Sequence, residues 1–223
     1  MDEFREERQA MKNAPLKERI AYFWEYNKLQ FIIAIVAIFS VVSIASTILM
    51  RKEEVLSGVV LNRFWMTQDG VVCDEFREAY LEYREYDTSE YDMAINGNLV
   101  YIEGGEGEII EQSINTAQAI AMQLTAADLD YMIADDVAIQ SFDKAEYFID
   151  LREFFTAADL EKYKDILVYS ERDHALPIAI DVTASECVDK LYAKKHECLA
   201  IGIFQNAPHV DEVKCFIEYI LQN

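Results

Sequence analysis

Four aspartates, Asp128, Asp130, Asp135 and Asp136, bracket the apolar run Tyr131-Met132-Ile133-Ala134. Carboxylates gathered in this way are the ligands a hard cation such as calcium takes. Their spacing is not that of an EF-hand loop, however, and acids are equally at home at the solvated ends of a strand. Cys187, His196 and Cys198 offer the donors zinc prefers, at a spacing that matches no strong zinc pattern. The sequence therefore predicts no metal and no cofactor. No serine stands in a G-x-S-x-G elbow, and His174, His196 and His209 lie in unrelated segments with no convincing nucleophile beside them. Gly104, Gly105 and Gly107 sit in an acidic turn that lacks the lysine of a phosphate loop. With 41 acidic residues in the chain, no pair can be singled out for acid–base work. The expectation is a protein without a catalytic constellation, not an enzyme.

Two further groups invite binding rather than catalysis. Phe64, Trp65 and Met66 follow the first apolar run of the C-terminal part, and ligands of open α/β sheets sit beyond the carboxyl ends of strands. Aromatic and apolar groups there could stack on a sugar or form a contact patch for a partner; the same residues could equally pack at the start of the next helix. All four cysteines, Cys73, Cys187, Cys198 and Cys215, lie after residue 51, and four cysteines allow three pairings. Cys187 and Cys198 are closest in sequence, so a disulfide between them is the preferred expectation. Cys215 lies opposite the stripe Val210, Val213, Phe216, Ile217 and Ile220 of its predicted helix, which points to a free thiol.

Whatever these groups do, they are held beside a membrane. Between Gln30 and Met50 the chain carries no charge, and a helix of that length reaches across a hydrocarbon core of roughly 30 Å. A cleaved signal peptide would have a shorter apolar core, of about 7–15 residues. The sequence thus predicts a cytoplasmic N-terminal arm over 1–28, a transmembrane helix over 29–50 and a C-terminal domain over 56–223. Lys12, Lys17, Arg19 and Lys28 precede the span against Arg51 and Lys52 after it, and Tyr22, Phe23, Trp24 and Tyr26 form an aromatic belt. Both favour the N-terminus inside and the C-terminal domain outside. Residues 51–223 hold 14 basic and 35 acidic side chains, the whole of the net charge of −21. Such a domain repels phosphate backbones, which argues against nucleic acid, and disfavours anionic headgroups.

From Leu56 onward short apolar runs alternate with amphipathic stretches, the rhythm of an α/β domain of about 170 residues with its own core. Strands are predicted at Val59–Leu61, within Tyr91–Ile102, and at Leu129–Asp135, Ile166–Tyr169, Pro177–Val182 and Leu199–Phe204. Helices are predicted at 69–86, 108–126, 157–163, 184–195 and about 209–221. In the second of these, Ile110, Ile114, Ala117, Ala121 and Leu124 fall on one stripe. Phe148-Ile149-Asp150-Leu151 adds a short apolar piece.

The order of these pieces resembles the extracytoplasmic solute-binding proteins of bacterial importers. The residues that carry the likeness are the acid-flanked strand Leu129–Asp135, the short helix after it, and the phrase Phe148-Ile149-Asp150-Leu151. The segment His174-Ala175-Leu176-Pro177-Ile178-Ala179-Ile180 and the stretch Ala200 to His209, with Asn206 before a helix through Phe216 to Leu221, complete it. The likeness covers most of 56–221 in short, loosely defined motifs. It implies a small three-layer α/β domain, one lobe of the type II periplasmic-binding kind. In that family a second lobe lies between the Pro177-type strand and the Asn206-type element, and the ligand cleft forms between the lobes. Here only about twenty residues separate the two, so the chain is expected to hold one wall of a cleft. No binding residue of the family carries over to a numbered position.

The expected function is a single-pass membrane protein that presents an acidic extracytoplasmic domain as a non-enzymatic interaction or binding module. The alternative is a solute-binding receptor subunit associated with an importer. Partners are then a protein or small molecule at the outer face and membrane lipid along 29–50.

Overall fold

The structure is a computed structural model that describes residues 15–49, 51–63, 69–192 and 197–223. It divides into two units, Met1–Arg51 and Lys52–Asn223. The first contains α1, Leu16–Leu49, a helix of 34 residues. Its stretch Lys28–Ser46 is long and apolar enough to cross a membrane. Phe39, Val41 and Ile44 are exposed on it. Near its N-terminal end the Trp24 and Phe31 rings meet edge to face at 5.6 Å.

The second unit is mixed α/β around one six-stranded sheet. In chain order it contains β1 (Glu53–Leu61), α2 (Asp69–Tyr83), β2 (Tyr91–Leu99), α3 (Glu108–Thr125), β3 (Tyr131–Asp135), α4 (Asp136–Asp143) and α5 (Leu151–Phe154). Then come α6 (Ala157–Tyr163), β4 (Leu167–Tyr169), β5 (Pro177–Asp181), α7 (Glu186–Asp189), β6 (Leu199–Ile203) and α8 (Val210–Gln222). The strand order is β2-β1-β3-β6-β5-β4. β1 pairs in parallel with both β2 and β3, while β6 runs antiparallel to β3 and to β5.

Alternation of side chains divides the central strands between two cores, one on each face. Leu56, Val60, Tyr131, Ile133, Ile201 and Ile203 join Phe76 and Tyr80 of α2 and Val213, Phe216 and Ile220 of α8. Val59, Leu61, Met132, Ala134 and Ala200 join Ile120 and Leu124 of α3 and Ile139 and Phe142 of α4. At Gly58 the ring of Tyr131 on the neighbouring strand lies over the backbone, so that a Cβ would stand 2.2 Å from its Cζ. A polar knot ties α8 to α2. The Glu212 carboxylate accepts from the Tyr80 hydroxyl at 2.5 Å, from Arg84 Nε and Nη2 at 3.0 Å each, and from the Tyr86 hydroxyl at 3.0 Å. Burial raises the Glu212 pKa, but the hydrogen bonds from Arg84, Tyr80 and Tyr86 outweigh it and hold the carboxyl below its ordinary range.

Two expectations change. Of the helix predicted over 184–195 the described part is α7, Glu186–Asp189, after which the chain turns at Leu191 and Tyr192 to bury both; 193–195 lie outside the described residues. In the short apolar piece Phe148-Ile149-Asp150-Leu151, Phe148 makes one isolated bridge to Phe204, and Asp150 caps α5. On α3 the buried residues are Ser113, Thr116, Ile120 and Leu124, whereas Ile110 and Ile114 of the predicted stripe are exposed.

Candidate functional site

Strand order gives the sheet one topological switch point. The chain leaves β1 for β2 on one side, then crosses to β3 on the other, so the connections diverge at the carboxyl ends of β1 and β3. Ligands of open α/β sheets bind in the crevice such divergence opens. Four segments meet there: Asn62-Arg63 after β1, Tyr101 after β2, Asp135 at the end of β3, and the connection 182–198 from β5 to β6.

Among the described residues, polar groups of these segments tie them together. Asn62 adopts φ 61°, a left-handed conformation that asparagine tolerates better than most residues. Its Nδ2 donates to the Tyr101 carbonyl at 2.7 Å and to Asp135 Oδ2 at 2.8 Å, and its Oδ1 accepts from the Tyr101 amide at 2.8 Å. Asp135 Oδ1 in turn accepts from the Ala138 amide at 2.9 Å and caps α4. Behind this latch Arg63 is only 2% exposed. Its Nε donates to the Leu191 carbonyl at 2.9 Å and its Nη1 to Cys73 Sγ at 2.6 Å. Gly97 of β2 makes room for the guanidinium, since a Cβ there would stand 2.3 Å from Arg63 Nη1. Tyr192 inserts beside it and donates to the Ile133 carbonyl at 3.3 Å, and burial pushes its phenol pKa up. The connection that carries Leu191 and Tyr192 thus covers the edge.

Asn62→Ala removes three hydrogen bonds and leaves a Cβ-bearing residue in the left-handed region. Asn62→Gly removes the same bonds without that strain. Both variants are expected to be destabilised, alanine by about 1–2 kcal/mol more than glycine, as measured by urea denaturation. Equal losses would mean that the loop relaxes to negative φ.

The remaining candidate residues are dispersed. Phe64, Trp65 and Met66 lie outside the described residues, as does His196. Cys187 and Cys198 are free thiols in the structure, not joined to each other. Cys187 Sγ lies 3.1 Å from Ser185 Oγ, and burial raises both thiol pKa values. Of the four aspartates, Asp135 belongs to the latch and Asp130 serves the opposite edge. Asp130 is fully buried, with Oδ2 accepting from the Ser57 amide at 2.8 Å and 3.0 Å from His209 Nδ1, and Oδ1 accepting from the His209 amide at 2.8 Å. The expectation of a solvated acid fails at this position. Among the described residues no group of three His, Cys, Asp or Glu side chains is placed to hold a metal ion.

Also at that edge, an open cavity of about 710 Å³ is lined by Phe148, Asp150, Glu153, Arg172 and Gln205 among others. Its one arginine is engaged by Asp143, through Nε–Oδ2 at 3.1 Å and Nη2–Oδ1 at 3.0 Å, and by Glu146 at 2.8 Å. The cavity therefore offers a ligand mainly carboxylates. Sequence reasoning did not identify Asn62, Arg63 or Tyr192, although Asn-Arg directly after a strand was a readable signal for a left-handed residue at a strand end. No protein-family model matches the chain, and no curated protein matches it.

Proposed function

We propose that this chain is a membrane-tethered, non-enzymatic interaction module. α1 anchors it, the N-terminus lies in the cytoplasm, and the acidic α/β unit stands outside the cell. One observation supports the reading: at the switch-point edge, where a solute would be gripped, the described polar groups are used by the chain itself, Asn62 bonding Asp135, Arg63 the Leu191 carbonyl and Tyr192 the Ile133 carbonyl. A receptor needs an accessible, largely pre-formed concavity with convergent unsatisfied polar groups. The likeness to one lobe of a solute-binding protein accords with this. In that comparison only the short connection between β5 and β6 would take the place of the second lobe, and its Leu191 and Tyr192 pack against the edge that lobe would face. What is left for recognition is the outer surface of the domain, which suits contact with another protein.

The test is thermal unfolding of the full chain in lipid nanodiscs against sugars, amino acids, short peptides and divalent cations. A ligand at 100 times its Kd adds about 2.7 kcal/mol, a shift of several degrees for a domain of this size. A flat panel is expected. A clear shift from any solute would overturn the module reading in favour of a solute-binding receptor subunit.

A further inference from the structure

We propose that the groove between α3 and the 101–107 loop docks a basic amphipathic helix of a partner protein. The inference rests on the interaction-module reading and names the chemistry of the partner. The first half of α3 turns Ser113 and Thr116 inward, whereas its second half carries Ile120 and Leu124 into the core. Ser113 faces inward, accepting from the Ile102 amide at 3.0 Å and donating to the Ile109 carbonyl at 2.9 Å, so that the loop is bound to the helix through a hydroxyl. At this end of the helix apolar side chains are left outside: Ile110 is 46% exposed and Ile114 51%, with Ile102 and Ile109 beside them. An amphipathic helix that folds its hydroxyl side inward and leaves adjacent isoleucines in water presents a contact surface.

The surface is concave. Gly104 and Gly107, at φ 71° and 63°, curl the loop around the helix, and Gly105 lies so close that a Cβ would stand 2.6 Å from Ile109 Cγ2. The resulting groove of about 370 Å³ has Tyr101, Ile102, Gly105, Ile110, Ile114 and Ala117 in its lining. Its Tyr101 wall is rigid. The ring lies 4.8 Å from that of Phe142, the hydroxyl is 2.5 Å from Ser141 Oγ, and the backbone is held on both sides by Asn62. The groove is therefore anchored to the latch at the switch point.

Charge selects the occupant. Glu103 lines the groove, Glu106, Glu108 and Glu111 are exposed on the same loop and the first turn of α3, and Lys144 lies 3.2 Å from Glu103. A second copy of the chain would bring the same glutamates face to face, and an anionic bilayer would be repelled. A helix with apolar anchors at i and i+4 and lysines or arginines along their flanks satisfies both the isoleucines and the rim.

The experiment uses the full chain in phosphatidylcholine nanodiscs and a labelled helical peptide of leucine and lysine, roughly 15 residues long. Empty discs provide the background. The peptide is expected to bind with protection of residues 101–117 from hydrogen exchange, and Ile110→Ser with Ile114→Ser should weaken it by about ten-fold at unchanged Tm. Glu108→Lys with Glu111→Lys, the independent variant, should weaken it similarly, and replacing leucine by alanine in the peptide should abolish the protection.

Equal affinity for wild type and the serine variant would overturn the proposal, since attraction to the acidic domain as a whole would then explain binding. So would a concentration-dependent dimer that the serine variant abolishes, or protection of 101–117 by the bilayer alone. If no peptide effect is seen while the solute panel stays flat, the docking site fails and the module reading stands. A solute-induced shift instead removes the module reading itself.

Discussion

Asp130→Ala is expected to destabilise the C-terminal unit by about 3–5 kcal/mol, because it removes the buried acceptor of several hydrogen bonds at once. The carboxylate is wholly shielded from solvent and joins three elements. Oδ2 accepts from the Ser57 amide in β1, Oδ1 from the His209 amide at the start of α8, and the imidazole of His209 completes the set at 3.0 Å. The Asp130 backbone adds two more ties, its amide donating to the Ser57 carbonyl and its carbonyl accepting from the Phe204 amide. Alanine keeps the backbone ties but leaves two amides and a ring nitrogen without their acceptor, and an orphaned buried donor costs about 1–3 kcal/mol. Asp130→Asn keeps one acceptor oxygen and should lose clearly less. Urea denaturation followed by near-ultraviolet circular dichroism provides the comparison. A loss below about 1 kcal/mol for alanine would show that water replaces the carboxylate.

Phe216→Ala should cost a similar amount, about 3–5 kcal/mol, for an apolar reason. Its ring is fully buried at the centre of an aromatic cluster, 4.7 Å from Tyr131, 5.0 Å from Tyr80 and 5.8 Å from Phe76. These neighbours come from the sheet and from α2, so the cavity left by truncation is walled by two rigid elements and by α8 itself. Phe216→Leu fills most of that volume and should recover more than half of the loss. If alanine cost under about 2 kcal/mol, α8 must be able to settle onto the sheet. Because Asp130 holds the start of the same helix, the two substitutions should not combine additively.

Most elements were readable because their periodicity and their burial agree. The strands of the two-faced core alternate side chains between the cores, and the terminal helix carries Val213, Phe216, Ile217 and Ile220 of its predicted stripe inward, while Val210 in its first turn is exposed. The failures have physical causes. In α3 the sequence signal is the apolar stripe, but Ser113, which accepts from the Ile102 amide of the loop, lies on the inward face with Thr116, Ile120 and Leu124, and leaves Ile110 and Ile114 outside. The helix predicted over 184–195 shortens because Tyr192 and the Leu191 carbonyl are used to close the sheet edge, a tertiary demand no local pattern carries. Asp130 reads as one of several solvated acids, and only the meeting of β1 with the loop before α8 makes it a buried acceptor. The switch-point edge was legible as a place, through the rule for open sheets; that Asn62 and Arg63 fill it was not, since their partners lie 39, 73 and 128 residues away.

The junction between the two units has a mechanical consequence. The anchor helix ends at Leu49 and β1 begins at Glu53, so the tether enters the sheet directly at the amino end of that strand. The groove on α3 and its Tyr101 wall are fastened at the other end, where Asn62 holds the loop after β2. Under the proposed function, tension between a partner in the groove and the bilayer would run along β1, a strand hydrogen-bonded on both sides, to β2 and to β3. Those bonds would be loaded in shear, many at once, rather than peeled one by one, and the force would pass through a strand whose last seven residues are buried.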